Sequence, residues 1–218
     1  MNSQIHILIY DDLQVSLKTQ FAHSELIDSL RTLPWATARD RSGYVSRKSC
    51  WLTKDNCKCD YKYGRSTWTS NDCPSFIKDI CTDIALYIGR EEPNGINANW
   101  YSSVEHHLDW HADNEPLFQQ DDGSALIVSL SIGSSTASSW KENATGKEDV
   151  TILGHGDFLV MEGHTQRYFK HCVPPSSKSP HFAGAALSSV GFERFNLTFR
   201  WTCNHTARCK KTAAQQHH

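Results

Sequence analysis

The chain has 218 residues, with 22 Lys and Arg against 24 Asp and Glu and a formal net charge of −2. That length suits one ordinary domain with a real hydrophobic core, and 39% hydrophobic with 21% charged residues excludes a disordered chain or a coiled coil. The near-neutral balance excludes a generally basic protein that coats nucleic acid, while a local basic stretch stays open.

Residues 1–42 read as an N-terminal arm or helical extension. The run Ile7-Leu8-Ile9 is followed at once by Asp11 and Asp12, which is not the pattern of a secretory signal. No stretch approaches the roughly 20 apolar residues of a membrane span, so no membrane partner is expected. The expectation is an intracellular protein, nuclear and/or cytoplasmic, acting as a monomer. Ser24 caps a helix through Glu25-Leu26-Ile27-Asp28-Ser29-Leu30, stopped by Pro34.

Between Arg39 and Arg65 lie eight basic residues: Arg39, Arg41, Arg47, Lys48, Lys54, Lys58, Lys62 and Arg65. Only Asp40, Asp55 and Asp60 oppose them, and Tyr44, Trp51, Tyr61 and Tyr63 are interleaved. Cations that neutralise phosphate, mixed with rings that stack, suit single-stranded nucleic acid, although a solvated loop is the commoner fate of such a run. Pro74 then opens a second helix from Ser75 to Leu86, with apolar residues at 76, 77, 80 and 84 on one face.

From about residue 97 the pattern turns to short β-branched and aromatic runs punctuated by Gly, Ser, Asn and Pro. Leu126–Ile132 is a predicted strand ended by Gly133. Val150–Leu153 and Asp157–Met161 are two more, joined by Gly154-His155-Gly156. Gln166–Pro174 is an aromatic-rich strand candidate, and Arg194–Trp201 alternates strictly. Many short strands with turn signals predict a mainly β sandwich or jelly roll with flanking helices. Residues 202–218 read as a tail.

The Arg194–Trp201 strand sets Phe195, Leu197, Phe199 and Trp201 on one face and Arg194, Asn196, Thr198 and Arg200 on the other. Facing water, the arginines mean little; facing into a barrel, they form a receptor for a dicarboxylate or phosphate. Upstream, His111-Ala112-Asp113 puts imidazole and carboxylate on one side of an extended chain. With a second histidine this is the facial triad of non-haem Fe(II) oxygenases, which leaves three octahedral positions open. His107-Leu108-Asp109 repeats the motif in the same parity, so alternation does not separate the copies. His155, His164, His171, His181 and His205 are the downstream candidates for the third ligand.

Taken in order, these segments resemble the AlkB-like Fe(II)/2-oxoglutarate dioxygenases. The residues are Asn99-Trp100-Tyr101, His111-Ala112-Asp113-Asn114-Glu115, Ser129-Leu130-Ser131-Ile132-Gly133, His155-Gly156-Asp157, Gln166…His171 and Arg194-Phe195-Asn196-Leu197-Thr198-Phe199-Arg200. Ser46-Arg47-Lys48-Ser49-Cys50-Trp51 and Tyr61-Lys62-Tyr63-Gly64 resemble the lid elements of that family, with Ser46 and Cys50 replacing its Pro and Ala. The likeness covers about residues 43–201, with 43–95 as lid and helix region and 96–201 as core.

The resemblance implies a double-stranded β-helix that binds Fe(II), 2-oxoglutarate and O2. It implies His111, Asp113 and His171 as catalytic metal ligands, His107 and Asp109 being flanking. It implies Asn99, Tyr101, Arg194, Asn196 and Arg200 as 2-oxoglutarate contacts. For substrate it implies Trp51 and Tyr63 stacking in the lid, with Glu115 and Arg47 beside the base. The expected activity is oxidative demethylation of an N-alkylated base in DNA or RNA, single-stranded or flipped, with release of formaldehyde, succinate and CO2. An oxygenase acting on a protein or small molecule is the alternative. An inactive binding module is a further one, which the intact triad and arginine pair oppose.

Cysteines stand at 50, 57, 59, 73, 81, 172, 203 and 209. Cys57-x-Cys59 and Cys203-x-His205-x-x-x-Cys209 lack the usual two-residue spacing of paired zinc ligands, so free thiols are expected.

Overall fold

The computed structural model describes residues 5–8, 23–40, 42–54, 57–63, 66–179, 191–206 and 209. Its elements begin β1 (Ile5–Leu8), α1 (His23–Arg31), β2 (Ala36–Arg39), β3 (Val45–Thr53), β4 (Tyr61–Tyr63), β5 (Ser66–Trp68), β6 (Ser70–Asp72) and α2 (Ser75–Ile88). They continue β7 (Gly95–Tyr101), β8 (Leu108–His111), β9 (Ile127–Gly133), β10 (Thr136–Glu142), β11 (Glu148–Leu153), β12 (Phe158–Met161), α3 (Thr165–Tyr168), β13 (Phe169–Val173) and β14 (Arg194–Arg200).

A large sheet runs β1-β12-β9-β14-β7-β3-β2, with β6 added beside β3, and a smaller sheet runs β11-β10-β13-β8. Apart from the parallel β3–β6 pair the strands pair antiparallel and make the expected jelly roll, and β4 and β5 form a separate hairpin.

The strict alternation of β14 has a simple physical outcome. The strand pairs along its whole length with β7 on one side and β9 on the other, so every residue in it is buried. Phe195, Leu197 and Phe199 join Ala98, Ile96, Ile132, Leu130 and Val128 in the main core. Leu26 and Leu30 of α1 and Ile77, Ile80 and Ile84 of α2 cover that face. The opposite face of β14 carries Arg194, Asn196, Thr198 and Arg200.

The predicted helix from Ser75 extends to Ile88 and stops at Gly89, whose left-handed backbone (φ 63°) lets its N–H bond the Ala85 carbonyl. The predicted strand at 126–132 forms one residue later, as β9.

Three features differ from the sequence expectation. The segment expected as lid, Ser46–Trp51, lies inside β3, an interior strand between β7 and β2. Its pattern hid this because Arg47 is buried against Asn99, and Lys54 just beyond it pairs with Glu92. Within the N-terminal segment, β1 and β2 join the large sheet at the two ends of its main strand order. Within the run expected as a strand from Gln166, the chain first makes the helical turn α3 and then β13.

Leu197→Ala is expected to cost about 2–5 kcal/mol, because its side chain is fully buried between two paired strands. Leu86→Ala, at a 78% exposed position, should stay within about 0.5 kcal/mol. Urea unfolding of the two variants beside the parent checks this pair.

Candidate metal and cosubstrate site

The small sheet brings the two histidines together. β13 pairs with β8 so that His171 lies directly opposite His111, and their ring centroids are 4.1 Å apart. Asp113 follows two residues past the end of β8, with its carboxylate between them: His111 Nε2 is 3.7 Å and His171 Nε2 3.6 Å from its oxygens. One donor atom from each residue falls within 4.8 Å of the others. This arrangement could hold one metal ion on a single face, with two neutral nitrogens and one anionic oxygen.

The surroundings fix each donor. His111 Nδ1 donates to the Asp109 carbonyl at 2.7 Å, which leaves Nε2 with its lone pair toward the site. Burial pushes His111 down to about 3, with the neighbouring His171 adding to the effect, so the ring is neutral as a ligand must be. Trp140, opposite His171 on β10, stacks on that ring at 5.1 Å. Burial presses Asp113 toward protonation, but the Arg200 cation, helped by a hydrogen bond with His171, outweighs it and holds the carboxyl well below its usual range. Gln166 of α3 accepts the Asp113 backbone N–H at 2.8 Å. Its place in the motif was visible in sequence, and this positioning contact was not.

His107 is elsewhere. It stacks on Tyr44 at 6.1 Å, with Nε2 3.5 Å from Asp40.

Across from the triad lies the polar face of β14. Arg200 is 1% exposed and reaches Asp113 at 2.8 Å and Glu115 at 3.1 Å. Arg194, 2% exposed, donates from Nη2 to Ser131 Oγ at 3.0 Å and sits over the Tyr101 ring. Arg194 Nε and Nη1 and Arg200 Nε have no hydrogen-bond partner among the described residues. Burial lowers Arg194's hold on its proton, and no described carboxylate pairs with it. Buried guanidinium donors of this kind fit an anion such as a carboxylate.

The profile of the 2OG-Fe(II) oxygenase superfamily matches residues 14–200. The chain belongs to that superfamily. Over 117 residues it is 32% identical to the alpha-ketoglutarate-dependent dioxygenase alkB homolog 3 of Rattus norvegicus, covering 49% of this chain and 35% of that protein. It is 24% identical over 225 residues to the DNA oxidative demethylase ALKBH2 of Arabidopsis thaliana, covering 88% of this chain and 65% of that one. The chain thus spans about a third of the length of the first of these relatives and about two thirds of the second. The solved structure titled "The structure of OsALKBH1" superposes with a TM-score of 0.58 at 19% identity, over 92% of this chain and 99% of the other.

Around this oxygenase site the other expected residues divide. Asn99 accepts from Arg47 Nε at 2.7 Å and from Ser49 Oγ at 3.1 Å through Oδ1. Asn196 is spent inside the sheet: its amide donates to Ser129 Oγ and the Leu130 carbonyl and its Oδ1 accepts from Thr198. Tyr63 stands edge-on to His111 at 5.9 Å, at the mouth of the site. Glu115 is neither a solvated charge nor a free acceptor, since Arg200 and the Tyr61 hydroxyl hold its two oxygens. Burial raises its pKa.

Trp51 is a correction. It is fully buried, packed on Tyr61 at 5.2 Å and Phe118 at 5.7 Å, with Nε1 donating to the Cys59 carbonyl. Gly95 is required beneath it, because a Cβ there would come within 2.3 Å of the indole. A ring so enclosed has no face left for a base. Arg47 is likewise buried against Asn99 and Ser46 rather than displayed.

The basic stretch is also dispersed: Lys54 pairs with Glu92, Lys58 with Asp72, and Lys48 lies over the Trp100 ring. Arg41 and Arg65 lie outside the described residues. Tyr61 and Phe118, which flank the Arg200 guanidinium at 5.2 and 4.8 Å, were not anticipated as site residues.

Trp51→Ala is accordingly expected to cost about 3–5 kcal/mol of stability. It should lower 2-oxoglutarate turnover and oligonucleotide turnover together. Thermal denaturation with both activities in parallel measures it, and selective loss of oligonucleotide turnover at unchanged stability would restore Trp51 to the lid.

Proposed function

We propose that this oxygenase is an Fe(II)/2-oxoglutarate-dependent oxidative demethylase of N-alkylated nucleobases in DNA or RNA. The observation that carries the proposal is the pairing of a buried His-Asp-His donor set with unpartnered, buried guanidinium donors from one strand. The nucleic-acid part rests on the likeness to the Arabidopsis DNA oxidative demethylase. When bound, Fe(II), 2-oxoglutarate and O2 would together supply the oxidation that converts an N-methyl carbon to formaldehyde, with succinate and CO2 as co-products.

The chain's own residues do the rest. His111, Asp113 and His171 would hold the metal through two neutral nitrogens and one carboxylate oxygen. Arg194, backed by Tyr101, receives a carboxylate through its free Nε and Nη1. Arg200 keeps Asp113 ionised and aimed, and offers its Nε to the same ligand. Tyr63, edge-on to His111, is the ring positioned to meet a base at the mouth. A base must leave its stack to reach that depth, which favours a single-stranded or flipped substrate.

A second reading, oxidation of a protein or small molecule, is favoured by one observation. Among the described cations between 39 and 63, Arg47 and Lys54 are buried, Lys58 pairs with Asp72 and Lys48 lies over the Trp100 ring, which leaves Arg39 and Lys62 exposed rather than a gathered phosphate-binding surface.

His171→Ala should abolish succinate formation while the fold persists, and His107→Ala should retain most of it. Arg194→Lys keeps charge but loses the planar fork, so the Michaelis constant for 2-oxoglutarate should rise about tenfold. Mass spectrometry of methylated single-stranded oligonucleotides incubated with enzyme, Fe(II), 2-oxoglutarate and ascorbate tests the substrate. Demethylated product with stoichiometric formaldehyde is the expected result. Turnover of a protein extract but of no methylated DNA or RNA would overturn the nucleic-acid reading.

A further inference from the structure

Away from the iron-type triad, four soft donors converge at the base of the β4–β5 hairpin. Cys57 and Cys59 come from the segment just before β4, and His205 and Cys209 from the chain beyond β14. One donor atom from each lies within 4.8 Å of all the others, and the three cysteines are buried. His205 Nδ1 is 3.8 Å from Cys57 Sγ, 3.6 Å from Cys59 Sγ and 3.1 Å from Cys209 Sγ. A tetrahedral zinc ion with Zn–S of about 2.3 Å and Zn–N of about 2.0–2.1 Å has ligand-to-ligand edges of about 3.6–3.8 Å. The Nδ1 distances to Cys57 and Cys59 are at that spacing, the one to Cys209 is about half an ångström shorter, and all four donors fall within 4.8 Å of one another.

The shell around the sulfurs points the same way. The Lys58 backbone N–H donates to Cys209 Sγ at 3.4 Å, and the Thr206 backbone N–H to Cys59 Sγ at 3.3 Å, with the Thr206 hydroxyl at 3.6 Å. Donors aimed at sulfur are what a metal-bound thiolate requires.

We propose that Cys57, Cys59, His205 and Cys209 bind a structural zinc ion, separate from the oxygenase metal. Four protein ligands complete a tetrahedron and leave no open position, so the ion is structural rather than catalytic. It ties the C-terminal segment to the root of the hairpin that carries Tyr61 and Tyr63. The same segment is pinned beside it: the Cys203 and Asn204 amides donate to the Leu117 carbonyl, and the Asn204 side chain to the Pro116 and Gln119 carbonyls. The ion therefore joins three stretches that frame the mouth of the site. Free thiols, expected from the spacing, hold only for the cysteines outside this group; Cys203 is exposed and not part of it.

The test is elemental analysis of the full chain, purified without chelator and supplied with zinc. About one tightly held zinc per chain should remain in His171→Ala, which impairs the triad, and in Cys203→Ser. It should be lost in Cys209→Ser. Cobalt added to the zinc-free chain should give thiolate-to-cobalt charge-transfer absorption with intense tetrahedral bands in the parent protein and in Cys203→Ser. Zinc removal should lower the thermal midpoint by about 5 °C or more. The parent spectrum and stoichiometry decide the matter even if Cys209→Ser fails to fold. A parent chain that binds no zinc beyond the triad, gives no thiolate–cobalt band, or whose Cys209→Ser variant folds and keeps its zinc, overturns the proposal.

Discussion

The structure turns on one buried cation. Arg200 is 1% exposed, and its guanidinium lies between Asp113 and Glu115 with aromatic rings over it. A charge removed from water to that degree persists only when paired, and losing one partner of such a set costs about 3–5 kcal/mol. Arg200 belongs to the large sheet, whereas Asp113 and Glu115 follow a strand of the small one. The ion network is thus a tie between layers as well as the reason Asp113 stays ionised beside two imidazoles.

Around that tie, cross-strand register does the positioning. His111 and His171 meet because β8 and β13 pair at those residues, and Trp140 meets His171 because β10 and β13 pair at those. On the facing layer, Arg194 lies beside Tyr101, and Asn196 beside Asn99 and Ser131, for the same reason. A one-residue slip of β14 would turn Phe195, Leu197 and Phe199 toward the site and the arginines into the core. The apolar face under α1 and α2 therefore locks the chemistry in place.

The mouth of the site is built differently. Its hairpin is only three residues per strand, too short to hold itself in water, and it leans on the buried Trp51–Tyr61–Phe118 cluster. Trp51 serves that support. It passes a hydrogen bond to the Cys59 carbonyl, next to the four-donor cluster that the C-terminal segment completes. The substrate face is thus held from behind by packing and, on our proposal, by a metal.

The sequence by itself determined the jelly-roll class, the second helix almost to the residue and the alternation of β14, and its resemblance to a known family implied the donor set His111, Asp113 and His171. Each is a local signal: a period of two or 3.6, a proline, or a motif whose residues lie near one another or in fixed order. Only the tertiary structure decided what Arg47, Trp51 and Asn196 touch, because a polar or aromatic side chain in an interior strand looks the same in sequence as one on a surface. The periodicity of the chain could not separate His107 from His111, since both copies share one parity, whereas register sets His111 opposite His171 and leaves His107 beside Asp40. The tertiary structure alone brought Cys57 and Cys59 to His205 and Cys209, which lie nearly 150 positions apart. Ligand spacing along a chain reports a metal site only when the ligands come from one turn, and here they come from two segments joined by the fold.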